Sequence, residues 1–205
     1  MAHLNGLDLI ALTDHNSAKN CPAMAGAAAR FGLGFVPGME LCTAEEIHVL
    51  CLFPDVERAL DFDGFVHSRM LSVPNRPDIF GRQIVMGADD RPAEEEPLLL
   101  HAATSIMLQE LPALAALGGG IVIPAHIDRE SNGLLSVLGA FPPDFAPAGA
   151  EICAALPAGL PPGLPIIQSS DAHRLWEILH NPPALPLPSP DFAGLCAWLY
   201  GQSTY

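Results

Sequence analysis

Basic side chains are scarce: Lys and Arg total 9 against 23 Asp and Glu in 205 residues, a formal net charge of −14. A protein that grips bare nucleic acid needs a basic face that displaces counterions, and nine scattered cations do not make one. Stable duplex nucleic-acid binding is therefore not expected. A single nucleotide stays open as a substrate, because bound divalent cations can invert the local charge that its phosphate meets. Long apolar runs are also missing. Half of the chain is hydrophobic, yet no stretch approaches the roughly 18–20 uninterrupted apolar residues that span a bilayer. Residues Met1 to Leu12 lack the basic region, apolar core and small-residue cleavage site of an export signal, so the expectation is a cytoplasmic protein with no membrane partner. Five cysteines without a CxxC pair give neither a disulfide framework nor an all-cysteine zinc site. Histidine is what the chain has instead: eight, against a single lysine.

The order of apolar runs and breaks is that of an α/β protein. Met1 to Gly6 reads as the end of a helix, Leu9–Leu12 as a short buried strand, Cys21–Phe31 as an Ala-rich helix stopped by Gly32 and Gly34, and Phe35–Val36 as the next strand. Ile47–Phe53 is a further buried strand, ended by Pro54, and Val56–Leu71 has a loose helical pattern. The segment 72–97, with its prolines, glycines and acidic cluster, reads as an excursion from the core with one short strand at Gln83–Met86. Ile106–Leu117 is a helix closed by three glycines, followed by strands at Ile121–Ile123, Ile152–Cys153 and Ile166–Ile167 and a last helix from Phe192. The expectation is one domain, 1–205, with these strands in one largely parallel, curved sheet flanked by helices.

Metal-capable residues recur where apolar strands end: Asp14 and His15 after Leu12, Glu40 after Val36, His126 after Ile123, and Asp171 and His173 after Ile167. In a barrel of parallel strands those ends build the site. His48 lies within a strand, two positions from Leu50 and so on the same face. Imidazole and carboxylate together suit Zn, Mn or Fe, and a site for two or three such ions at close range can be built from this mixture of donors. Taken singly, each residue has an ordinary explanation; Asp14, for one, can cap a helix. His3, His67, His101 and His180 are expected to be ordinary surface or core residues.

The segments Leu9-Ile10-Ala11-Leu12-Thr13-Asp14-His15-Asn16, Pro37-Gly38-Met39-Glu40, Pro124-Ala125-His126 and Ser169-Ser170-Asp171-Ala172-His173 resemble the PHP (polymerase and histidinol phosphatase) family, and the likeness runs from Gly6 to about Trp176. The resemblance implies a distorted seven-stranded (β/α) TIM-like barrel and a metal-dependent phosphoesterase holding two or three divalent transition metal ions (Mn, Zn or Fe). It implies that His15, Glu40, His48, His126, Asp171 and His173 are metal ligands, with Glu40 bridging two ions and Asp14 supporting them from behind. Arg129, three residues after His126, is the best-placed arginine for the phosphate, with Arg82 and Arg174 behind it. The family's opening strand carries a His-x-His pair, and this sequence has none. On that resemblance Met1 falls inside the first helix, the first strand is missing, metals are fewer or more weakly held, and the exposed sheet edge either pairs with a second copy of the chain or leaves the barrel open there.

The expected substrate is a phosphate ester of a small metabolite or short nucleotide. Two other readings stay open: a catalytically weak barrel serving as an interaction or regulatory module, and a metal-dependent hydrolase of C–N or carboxylic-ester bonds.

Overall fold

The computed structural model describes residues 1–202. A 3₁₀ turn, His3–Asn5, closes on Gly6 in the left-handed region (φ +78°) and leads into β1, Leu9–Leu12. Helix α1, Cys21–Arg30, has a proline in its first turn and little but alanine behind it, which favours helix at low entropic cost. β2, Gly34–Cys42, and β3, His48–Leu52, follow. Helix α2, Val56–Arg69, is capped by the Asp55 carboxylate, which accepts from the Arg58 N–H at 2.9 Å.

The excursion holds one short helix, α3 (Pro77–Phe80), and an antiparallel pair, β4 (Ile84–Met86) with β5 (Pro92–Glu95). β4 falls where a strand was expected, whereas β5, with sequence Pro-Ala-Glu-Glu, has no strand-forming signature. Helix α4 spans Leu111–Leu117, shorter than expected from the sequence because a 3₁₀ turn, Leu108–Glu110, takes up the first residues. β6 (Ile121–Pro124), a short helix α5 (Leu134–Leu138), β7 (Ala150–Ile152), β8 (Ile166–Gln168) and α6 (Phe192–Gln202) complete the order.

The main sheet has the order β1-β2-β3-β6. β1 and β2 are parallel, but β2–β3 and β3–β6 are antiparallel, which overturns the expectation of a largely parallel sheet. The reason lies in residues 43–47, the whole connection from β2 to β3. A parallel return needs a crossover of a dozen or more residues, whereas five can only turn back. β7 and β8 form a separate parallel pair, joined to β6 by Ala148 N–H to Val122 O at 3.0 Å and Ile127 N–H to Glu151 O at 2.9 Å. No barrel closes among the described residues.

Alternation along the strands sorts the core onto the two faces of this sheet. Met39, Leu41, Val49, Cys51 and Val122 pack with Phe62 and Val66 of α2 and Leu111 of α4. Val36, Leu52, Ile121 and Ile123 pack on the other face with Leu195 and Leu199 of α6. Glu40 and His48 belong to this second face, where the apolar surface gives way to polar side chains. No helix among the described residues is long and apolar enough to cross a membrane.

Candidate metal centre

Pairing between β1 and β2 continues past the end of β1. His15 and Glu40 form a parallel bridge, with Glu40 N–H donating to Asp14 O and Asn16 N–H to Glu40 O, both at 3.0 Å. Asn16, buried and at φ +47°, then locks three segments. Its amide donates to Leu100 O and Ala102 O at 2.8 Å each, and its carbonyl accepts from Cys42 N–H at 2.9 Å. Glu40 stands opposite Leu50 and His48 opposite Cys42 in the β2–β3 register, so the hairpin presents both ligand-type side chains on one face.

His126 enters from the end of β6. Its Nε2 lies 2.9 Å from Glu40 Oε1, and His48 Nδ1 lies 3.1 Å from that oxygen and 3.2 Å from His126 Nε2. His15 Nδ1 stands 3.5 Å from the other oxygen, Oε2. Beyond these four, the His173 ring centroid is 6.1 Å from that of His15. Asp171 is within electrostatic reach of Glu40 and His126, and its carboxylate is gripped by Arg129. All six residues expected as ligands therefore gather at one end of the sheet.

Burial and neighbouring charge set the protonation of the cluster. Burial pushes the His15 imidazole down to about 4, against the pull of Glu40, so it is neutral at physiological pH. Burial acts on Glu40 in the opposite direction, but hydrogen bonds from His126 and His48 outweigh it and hold the carboxyl well below the usual range. His126 is lifted above its ordinary value because its contact with Glu40 overcomes burial. Asp171 is raised, first by burial and then by the Glu40 charge.

These residues fit a divalent cation. Two imidazole nitrogens and a carboxylate oxygen within 2.9–3.2 Å of one another are poorly satisfied by hydrogen bonds alone, because each ring nitrogen either donates or accepts. Around metal–ligand bonds of about 2.1 Å, neighbouring donor atoms stand roughly 3.0–3.4 Å apart. His15, Glu40 and His48 each offer a donor atom within 4.8 Å of the other two. His15 Nδ1 and His126 Nδ1 are buried without a hydrogen-bond partner.

The surroundings differ in part from the sequence-based expectations. Asp14 does not cap α1, whose preceding residue is Asn20. Its carboxylate accepts from Asn20 Nδ2 at 2.8 Å, and burial raises its pKa. Arg129 pairs with Asp171 here, while Arg82 is held by Glu95 and Arg174 lies over the Trp176 ring. His3, His67 and His180 stay clear of the cluster's contacts, but His101 does not: its ring centroid is 4.2 Å from that of His15. His101 follows the apolar run Leu98-Leu99-Leu100, the same signature that marks His15 and His126.

Two carboxylates absent from the sequence-based set brace the strand ends. Glu151, buried on β7, accepts from the His126 N–H at 3.0 Å and from the Ser169 hydroxyl. Asp128 accepts from the backbone N–H groups of Cys153, Ala154 and Ala155 at 2.7–3.0 Å. His126 (φ +30°) and Asp171 (φ +45°) both occupy the left-handed region, a strained conformation for residues with a Cβ.

No family model matches the chain, and no curated protein matches it. Solved structures do. Endonuclease Q, in a complex with a 27-mer duplex carrying an abasic lesion, is 15% identical with a TM-score of 0.59 over 98% of this chain and 50% of that one. The lesion-specific endonuclease Q of Pyrococcus furiosus is 16% identical, with a TM-score of 0.58 over 98% and 49%. A candidate metal-dependent phosphoesterase from Bifidobacterium adolescentis is 17% identical, with a TM-score of 0.54 over 97% and 87%. The chain spans about half the length of the two endonuclease Q chains. The likeness is one of fold, and it agrees with the motifs read from the sequence: the chain has a mixed α/β fold similar to that of PHP-type phosphoesterases.

Proposed function

We propose that the chain is a metal-dependent phosphoesterase acting on a phosphate ester of a small metabolite or short nucleotide. The observation that carries this reading is the convergence of His15, His48 and His126 on the two oxygens of Glu40. Bound divalent ions, Mn, Zn or Fe, would polarise the phosphate and lower the pKa of water at the site. Glu40 and the three histidines would hold them, and Asp171 and His173, from the segment after β8, would complete the set. Asp14, fixed by Asn20, adds a buried carboxylate beside His15. Arg129 shares its guanidinium between Asp171 and an incoming phosphate oxygen, for which its planar fork is suited. The parallel sense of β1, β2 and β6, and the two bonds joining β6 to β7, support reading the strands as part of a distorted, incompletely closed barrel.

The endonuclease Q structure holds duplex DNA. A chain with net charge −14 is a poor partner for a duplex, which supports the smaller substrate. Metal analysis after mild purification, beside turnover of an aryl phosphate and of matched carboxylic esters and amides, tests the reading. Stoichiometric transition metal with phosphate turnover, both lost in Glu40→Ala, is the expected result. Turnover confined to the esters or amides points to the other hydrolase class, and absence of metal to a binding module; either overturns the proposal.

A further inference from the structure

We infer that a cavity beside His15 is the leaving-group subsite and that it takes one ring-sized, uncharged organic alcohol rather than a second phosphate or a nucleic-acid strand. This rests on the phosphoesterase reading and adds the substrate class.

The cavity is about 220 Å³ and lies between the Asp14-His15 turn, the start of α1 and strand β4. That is below the roughly 300–1,000 Å³ of pockets that hold drug-sized ligands. His15 and His101, with ring centroids 4.2 Å apart, both line it, and His15 also stands in the metal centre, so a phosphate held there would have room for its ester group on this side. Ile84 and Val85 of β4, with Leu100, supply aliphatic walls.

The polar lining is largely committed elsewhere. The Asn20 amide donates to Asp14 Oδ2 and Ile84 O and accepts from Met86 N–H. The Gln83 amide serves Glu96 O, Leu98 O and Leu100 N–H. Asp14 Oδ1 and the His101 ring are left to meet a ligand, one accepting from a hydroxyl and the other stacking on a flat group. No Lys or Arg lines the cavity. The neighbouring Lys19 ammonium is held by Glu96 at 2.7 Å and Glu94 at 3.1 Å. A second anionic group would enter beside Asp14 and Glu96 with no cation to receive it, and desolvating an unpaired charge is costly.

In the reaction, the oxygen of water bonds to phosphorus and the bond from phosphorus to the ester oxygen breaks. The ester oxygen leaves as the alcohol after taking a proton, while the attacking water gives one to solvent. Only an alcohol that the cavity accepts places this bond at the ions.

The test uses the full chain with Mn²⁺ and compares kcat/KM for phenyl phosphate, 4-carboxyphenyl phosphate, methyl phosphate and a 5′-phosphorylated ten-nucleotide strand. Phenyl phosphate is expected to exceed the carboxylated ester and the strand at least tenfold. Val85→Trp, which fills the cavity, and His101→Ala, an exposed and conservative change for the fold, are each expected to lower the phenyl-to-methyl ratio at least tenfold. Independently of turnover, phenylphosphonate is expected to shift the backbone amide resonances of Val85 and His101. Those shifts without any hydrolysis would leave the subsite standing and sink the phosphoesterase reading. Hydrolysis with no such shifts, or with unchanged ratios in both variants, would overturn the subsite alone.

Discussion

The two halves of the candidate centre are built from the same residue types and are held very differently. Glu40 and His126 sit on the ends of paired strands, with side chains only 6% and 5% exposed, whereas His173 is 59% exposed on the segment after β8. The first half is fixed by sheet register and by Glu151. In the second, His173 leans on its own backbone, its Nδ1 being 2.9 Å from Asp171 O, and Asp171 is held by an arginine side chain. The donor set is thus preorganised around Glu40 and adjustable around His173, so a bound ion would be held chiefly by the hairpin half.

Glu40→Gln should have the largest effect, because it removes the one anion on which three imidazoles converge. We expect loss of stoichiometric metal and a fall in phosphate turnover of about 100-fold or more. Metal analysis and aryl phosphate kinetics check it, and retention of both would break the assignment of Glu40 as the centre.

His126→Ala and His173→Ala sharpen the contrast between halves. The first is expected to weaken metal binding about tenfold more than the second, read by competition with a chromophoric chelator. Equal losses would show that burial does not rank the ligands. Glu151→Ala tests the brace behind His126: metal affinity should fall about tenfold. Glu151→Gln should retain most of it, since its amide can still accept from the His126 N–H.

The smallest effect concerns a carboxylate outside the centre. Burial raises the Glu96 pKa, but hydrogen bonds from Lys19 and the Leu98 N–H bring it below the ordinary 4.5. A depressed carboxyl contributes stability that is fully present above its unfolded pKa and lost as pH falls through its folded one. Glu96→Gln should therefore cost about 1–3 kcal/mol at pH 7. The difference from the parent should shrink in thermal melts taken at progressively lower pH below 4.5.

What the sequence reveals follows from which signals are local. An apolar run broken by polar residues marks both a strand and the residues just beyond it, which singles out His15 and His126 without coordinates; Glu40, expected past a strand ending at Val36, instead lies within β2, because that strand continues to Cys42. Strand direction is not encoded in such a run. It is encoded in loop length, and the segment 43–47 was short enough to give it once β2 was known to reach Cys42. β5 escapes because Pro-Ala-Glu-Glu has no apolar alternation, and all four residues are exposed. Glu151 escapes because what it does depends on a neighbour distant in the chain, His126, whereas His101, beside His15, carries the local signal of a preceding apolar run but lies in no strand of the sheet.

The antiparallel turn from β2 to β3 also sets a timetable. Glu40 and His48 are joined by one hairpin, and such hairpins close on the order of 1–10 μs. His126 is 86 residues from Glu40 and must wait for the long loop through α2, the excursion and α4 to be closed. Loop closure alone would bring Glu40 and His48, one carboxylate and one imidazole, together before His126 joins them. A metal would meet only a bidentate clasp there, and the third donor would arrive with the docking of β6 against β3.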